Sequence, residues 1–318
     1  MIRWGIIGLG NIAKRFAKSL QFDKGAKLFA VASRTEEKIK YYEDTYNGVK
    51  VFNSYEDLIK DDDIDAVYIA LPHKLHMEYT IKALNAKKAV LCEKPSCMNS
   101  KELEKVIKCA KVNKRFYMEA VKTPFIPIIE VIKKVLQDNV IGNINSIYAS
   151  FCSNFPENNK SYIYDNEQGG AILDLATYPI SFVFEIMEKR KILSINTEKK
   201  YKEIGNNKIN VHFNTVLEFE GDIKAYLEGG IDGEKERLAI IEGSKGTMYV
   251  PMFNRPESYK IVLSNGKEYE EKLSIKNDDM FGEIEEANRC IKDKKIESSK
   301  QSFEKSRDIL EIIEQMIN

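Results

Sequence analysis

Three side chains in this sequence have types and spacing suited to moving a proton. Lys94 lies in Cys92-Glu93-Lys94-Pro95, at the C-terminal end of a short apolar run. In an open α/β sheet, ligands sit beyond the carboxyl ends of the strands. An ammonium there can orient a substrate hydroxyl and lower the pKa of a neighbouring acid. Pro95 fixes φ and removes a donor, so the chain turns in a defined way. Asp174 and Tyr178 lie four apart in Gly169-Gly170-Ala171-Ile172-Leu173-Asp174-Leu175-Ala176-Thr177-Tyr178. On a helix that spacing puts them on one face, with Ala171 and Leu175 nearby. An acid and a phenol on a largely apolar face need partners or a cleft. The same spacing also fits a helix-initiating aspartate and a half-buried core tyrosine.

A second constellation suits a nucleotide. Gly8-Leu9-Gly10-Asn11-Ile12-Ala13 reads GxGxxA between an apolar run and an amphipathic stretch, the context a dinucleotide-binding turn requires. Gly8 would allow the tight turn, and Gly10, lacking Cβ, would let a pyrophosphate approach the backbone. Ala13 would permit close helix–strand packing. The N–H groups at Asn11 and Ile12, where the helix begins, would face the anion. An NAD site usually has an acidic residue at the tip of the second strand, but here the tip reads Ala32-Ser33-Arg34-Thr35. A hydroxyl plus a guanidinium suits a 2′-phosphate, and Lys38 one turn on could add charge. NADP(H) is therefore favoured, with NAD(H) possible. Ser33 can also cap a helix, with Glu36 completing the box.

Composition narrows the alternatives. The chain has 318 residues, enough for two domains. Lys+Arg and Asp+Glu both number 49, giving a formal net charge of +0. Such a chain has no global attraction for nucleic acid or anionic lipid. No apolar run approaches the roughly 20 residues a bilayer needs, and no signal-like segment opens the chain; a cytoplasmic protein is expected. The five cysteines form no CxxC pair, and the three histidines, His73, His76 and His212, are badly spaced for a metal cluster. Neither a disulfide framework nor a metal centre is expected.

The elements that must position these residues follow two patterns. Through residue 121, apolar runs alternate with helical stripes: Ile2–Ile7, Leu28–Ala32, Val49–Phe52, Ala66–Leu71, Ala89–Cys92 and Phe116–Val121 as strands, with helices between. This predicts an α/β protein whose N-terminal part, residues 1–121, is a doubly wound parallel sheet of the Rossmann type. Residues 122–318 read as a second, α+β domain. It has a helix to about Gln137, an extended segment Ile144–Phe151, a polar loop over 152–168 and one helix Ala171–Met187. Turn-punctuated strands from Ile192 to Leu273 then suggest a large, mostly antiparallel open sheet. Two amphipathic helices, about Asp278–Lys292 and Gln301–Ile317, finish the chain.

The glycine turn, "ASR", "ALPHKLH", "CEKP" and "GGAILDLATY" occur in the order seen in the Gfo/Idh/MocA oxidoreductase family, which the chain resembles over nearly its whole length. "FYMEAVKTPFIP" resembles the branch of dimeric dihydrodiol dehydrogenases and NADP-dependent xylose dehydrogenases, although Lys122 stands where Trp is usual and Pro124 where Arg is usual. The resemblance implies that Lys94 is the catalytic lysine, Tyr178 the acid/base residue and Asp174 the acidic residue one turn before it. Leu71 and Pro72 fall beside the nicotinamide, with His73 in place of a commoner Asn and His76 keeping its usual type. Glu93 contacts the cofactor ribose or orients Lys94. The expected activity is hydride transfer to or from a sugar, polyol or trans-diol. The ammonium of Lys94 and the phenol of Tyr178 would meet over the nicotinamide, and the second domain would form a homodimer or tetramer. Rival readings are a catalytically silent NADP-binding sensor and a biliverdin-reductase-like enzyme.

Overall fold

The computed structural model describes residues 1–157, 161–187 and 190–318. Residues 158–160 of the expected polar loop lie outside the described residues. The chain divides into two compact units, one of residues 1–121 with 276–308, the other of residues 122–275 with 309–318.

The first unit contains β1 (Ile2–Ile7), α1 (Asn11–Leu20), β2 (Ala26–Ala32), α2 (Glu36–Thr45), β3 (Lys50–Phe52), α3 (Tyr55–Lys60), β4 (Ala66–Ile69), α4 (His76–Asn85), β5 (Ala89–Glu93), α5 (Ser100–Asn113) and β6 (Tyr117–Ala120). The six strands are parallel, in the order β3-β2-β1-β4-β5-β6. This is the doubly wound order whose reversal point lies between β1 and β4. The strands are apolar because helices cover both faces, and Trp4, Ile6, Ile7, Val67, Tyr68, Ile69, Val90 and Leu91 are fully buried. Phe16 of α1 stacks on Tyr68 of β4 at 3.8 Å and meets Trp4 edge-on at 5.5 Å. Two helices start at side-chain caps. Ser54 Oγ accepts from Asp57 N at 3.2 Å, and Asn99 Oδ1 accepts from Glu102 N at 2.9 Å.

The second unit runs from α6 (Pro127–Gln137) through β7 (Ile144–Cys152), α7 (Ala171–Leu175), α8 (Thr177–Met187), β8 (Ile192–Ile204), β9 (Asn207–Phe219), β10 (Ile223–Gly230), β11 (Leu238–Gly243), β12 (Gly246–Pro251), β13 (Ser258–Leu263) and β14 (Glu268–Lys272). The eight strands lie in the order β14-β13-β12-β11-β7-β10-β9-β8, all antiparallel except β7 against β10. Ile147, Ala149, Phe213, Leu217 and Leu227 alternate inward along their strands and are buried, on the face that α7 and α8 pack against. The helix expected over Ala171–Met187 is two segments. Pro179 has no N–H for the Leu175 carbonyl, so the ladder lapses at Ala176.

The sequence reading placed residues 276–308 in the second domain, but they pack with the first unit. Here α9 (Phe281–Lys292) buries Ile284, Ala287 and Cys290. Trp4 Nε1 donates to Asn288 Oδ1 at 2.8 Å, Ser19 Oγ donates to Asp278 at 2.8 Å, and Arg15 pairs with Asp279. The indole N–H is buried, so it requires an acceptor, and a residue far along the chain supplies it. The division falls inside α10 (Phe303–Ile317).

Candidate active site

The turn leaving β1 is built for glycine. Gly8 has φ +86°, and a Cβ there would collide with the Ala70 carbonyl after β4. Gly10 is the extended residue before α1, and a Cβ on it would meet nothing within 4 Å. No side chain caps α1, and its first turn contains no acidic residue. Asn11 is exposed and Ile12 half-exposed, so the helix start combines unpaired N–H groups with open space. That arrangement accommodates a pyrophosphate.

Ser33 sits at the end of β2, 4% exposed, its Oγ accepting from Thr35 N at 3.0 Å. The first helical residue of α2 follows Thr35, which occupies the cap position without a side-chain bond. The capping box considered for Ser33 and Glu36 is therefore absent, because Ser33 turns its oxygen onto its own loop. Arg34 and Lys38 are exposed, and the Arg34 guanidinium lies 5.8 Å from the Tyr55 ring centroid.

Leu71 and His73 are buried beyond β4, with Pro72 half-exposed between them. His76 opens α4, fully buried. Its Nε2 lies 2.7 Å from the Leu71 carbonyl and its Nδ1 lies 2.8 Å from the Pro95 carbonyl. Burial pulls this imidazole below its ordinary pKa, against the upward pull of the two carbonyls. His76 thus lies between the loops that leave β4 and β5 with a backbone carbonyl at each ring nitrogen, and the neutral ring, with one N–H, donates to one of the two.

Glu93 ends β5. Its carboxylate accepts from the Tyr68 hydroxyl and approaches Lys94 N at 3.3 Å. Burial raises the Tyr68 phenol well above its ordinary range, and the adjacent Glu93 charge adds to the effect, so Tyr68 remains a donor. A rigid, stacked phenol thus fixes the carboxylate next to Lys94. Sequence reasoning missed Tyr68, which reads only as one apolar residue of a buried strand.

In the second unit, Gly170 (φ +93°) leads into α7, whose Ile172 N donates to Asn210 Oδ1 of β9 at 3.1 Å. Asp174 is buried at 7% exposure, and Tyr178 is half-buried with its ring 5.0 Å from Phe151. The Arg237 guanidinium lies 4.2 Å from the Phe151 centroid and donates to Ser153 Oγ at 2.6 Å. Burial lowers the Arg237 pKa, nearby Arg255 adds to this, and Tyr178 opposes it. The sequence gives no signal for Arg237. It enters this neighbourhood because β11 pairs antiparallel with β7, setting Leu238 opposite Ser150.

Residues 2–121 match the oxidoreductase family with an NAD-binding Rossmann fold, and residues 129–249 match the GFO/IDH/MocA C-terminal domain. The scyllo-inositol 2-dehydrogenase (NADP(+)) IolU of Bacillus subtilis is 30% identical, over 99% of this chain and 96% of its own. This chain belongs to the Gfo/Idh/MocA oxidoreductase family. Among its relatives, the trans-1,2-dihydrobenzene-1,2-diol dehydrogenase of Xenopus laevis is 33% identical over 84% of this chain and 79% of its own. The D-xylose 1-dehydrogenase (NADP(+)) of Hypocrea jecorina is 29% identical over 99% and 91%. KijD10, a 3-ketoreductase from Actinomadura kijaniata solved with TDP-benzene and NADP, shares the fold of this family member at TM-score 0.87. It is 24% identical, and the match covers 100% of this chain and 97% of KijD10.

Proposed function

We propose that the chain is an NADP-dependent dehydrogenase or reductase acting on the carbinol or carbonyl carbon of a sugar, polyol or trans-diol. The observation that carries this reading is the tip of β2, where Ser33 and Arg34 stand in place of a carboxylate. Gly8, Gly10 and the N–H groups of Asn11 and Ile12 would hold the pyrophosphate, and Ser33, Arg34 and Lys38 the 2′-phosphate. Leu71, Pro72 and His73 would line the nicotinamide end, braced by His76. Glu93 would contact the ribose or orient Lys94. Relatives named as NADP(+) dehydrogenases of xylose and scyllo-inositol, and as dihydrobenzenediol dehydrogenases, support the same substrate class.

When bound, the nicotinamide gives or accepts the hydride. The chain handles the proton. Tyr178 takes it from the hydroxyl during oxidation and returns it during reduction. Lys94 orients the hydroxyl, and its charge would stabilise the developing alkoxide. Asp174 is the acidic partner one turn before the phenol. General acid–base assistance is worth about 10²–10⁴ in rate. Tyr178→Phe and Lys94→Met are therefore expected to lose turnover on that order while keeping NADPH affinity. Steady-state rates across aldoses, polyols and trans-diols, with fluorescence titration of NADPH, check this. Unchanged turnover in both variants would sink the assignment, and NADPH binding without turnover on any substrate would favour the sensor.

The protein would work in the cytoplasm, consistent with its five free thiols, and as a homodimer or tetramer. On the sheet face away from α7 and α8, Tyr249, Ile240, Tyr148, Tyr226 and Val216 stand in one row across five strands. All are half-buried or exposed, and a row of this kind suits a second copy of the sheet. Sedimentation equilibrium measures the state, and a monomer at micromolar concentration would remove this part of the reading.

A further inference from the structure

One and two rows along from those aromatics, the same sheet face brings together three side chains that the redox reading does not use. Cys152 ends β7, Gly230 ends β10 and His212 lies in β9. The pairings Gly230↔Cys152 and Gly230↔His212 set them side by side across three neighbouring strands. The outer two backbones are roughly 10 Å apart, two strand spacings. With a side chain on the middle strand, Cys152 and His212 would be held apart. At Gly230, an added Cβ would stand 2.5 Å from His212 Nδ1 and 3.4 Å from Cys152 Sγ. The glycine leaves a hollow over which thiol and imidazole converge. Glu228, two residues back on β10 and on the same face, closes the third side. One ligand atom from each of Cys152, His212 and Glu228 lies within 4.8 Å of the other two.

We propose that Cys152, His212 and Glu228 form a binding site for a thiolate-seeking divalent transition-metal ion, zinc being the best fit. A sulfur, an imidazole nitrogen and a carboxylate oxygen are a zinc donor set, with a fourth tetrahedral position open to water. The surroundings resemble an outer shell. His212 Nε2 faces Glu228 at 3.2 Å, and its Nδ1 lies 3.6 Å from Asp232 Oδ1. Each ring nitrogen therefore has a carboxylate beside it, and a carboxylate on one nitrogen fixes the ring for a metal on the other. Tyr148 and Ser150 donate to Glu228 Oε2 at 2.6 and 2.9 Å, leaving Oε1 toward the histidine.

Two lysines balance the charge in the described structure. Lys200 pairs with Asp232 at 2.7 Å, and Lys235 pairs with Glu228. The Lys235 side chain is 57% exposed and reaches in from a loop, so it can swing into solvent as a metal arrives. It stands where a cation belongs and would act as a built-in competitor.

The test uses the full chain, stripped with a chelator and titrated with Co²⁺, then Zn²⁺. The expected result is one equivalent bound, with a thiolate-to-cobalt charge-transfer band, intense visible bands of four-coordinate cobalt, and displacement by zinc. Cys152→Ser should abolish the charge-transfer band. His212→Gln should weaken binding by more than the ~10–100-fold that loss of an outer-shell partner costs. Lys235→Ala, which keeps all three ligands and lies on an exposed loop, should tighten binding severalfold. Absence of stoichiometric binding, or a band that survives Cys152→Ser, would overturn the site. Unchanged affinity in Lys235→Ala would overturn the competition. Neither outcome depends on turnover or on NADPH, so the redox reading and this one fail separately.

Discussion

Arg34 is the residue on which the proposed preference for NADP(H) rests. It is exposed beyond β2, with no carboxylate at the strand tip, and hydrogen bonds to a charged group contribute roughly 1.5–3 kcal/mol. Arg34→Ala should weaken NADPH about 10- to 100-fold by that principle while leaving NADH nearly unchanged, as paired fluorescence titrations will read. Glu119 illustrates the opposite problem, a buried carboxyl with no cation paired to it among the described residues. Burial raises its pKa above the ordinary 4.5, against the hydrogen bond it accepts from Ser96 N at 2.9 Å. A carboxyl whose folded pKa is raised loses stability as pH climbs from its ordinary value through the raised one. Glu119→Gln is uncharged throughout, so its stability relative to wild type should grow across that window and then level off. Urea midpoints from pH 4 to pH 8 check the sign. Tyr68, Arg237 and the partners of His76 were illegible in sequence because each depends on which strand or loop lies alongside.

At the scale of elements, local chemistry was widely legible. Asn99 accepts from Glu102 N at the start of α5, as the Asn-x-x-Glu spacing predicts. Asn99→Ala should destabilise the first unit by about 1 kcal/mol, read as a lowered melting temperature with no change in NADPH affinity. The strand–helix alternation through residue 121 was legible because buried parallel strands must be continuously apolar. The single helix expected over 171–187 failed at Pro179, where one missing N–H splits it. The second sheet read as antiparallel from its turns. The insertion of β7 between β11 and β10, parallel to β10, leaves no local trace, since pairing across long loops is settled by burial rather than by turn residues.

For the molecule as a whole, the return of residues 276–308 to the first unit is the largest departure from the sequence reading. The stripe Ile284, Ala287 and Cys290 announces an amphipathic helix without saying what it covers. The answer lies in the hydrogen bond from Trp4 Nε1 to Asn288 Oδ1, both residues buried. Leaving a buried donor unsatisfied costs about 1–3 kcal/mol. Asn288→Ala should lower the stability of the first unit by that order, although it lies far from β1 in sequence. Hydrogen exchange at β1 amides, compared with that in β9, would show the loss confined to the first unit. A uniform loss in both strands would refute the assignment.

The sequence by itself determined the glycine turn, the missing carboxylate at the second strand's tip, the helix caps and the two kinds of sheet. Each depends on a residue and its near neighbours, through φ, capping geometry or the period of apolar side chains. Only the tertiary structure decided that a C-terminal segment completes the N-terminal unit, that Tyr68 braces Glu93, and that Cys152, His212 and Glu228 share one hollow. These depend on which distant segments bury surface against each other, and apolar burial has no direction along the chain.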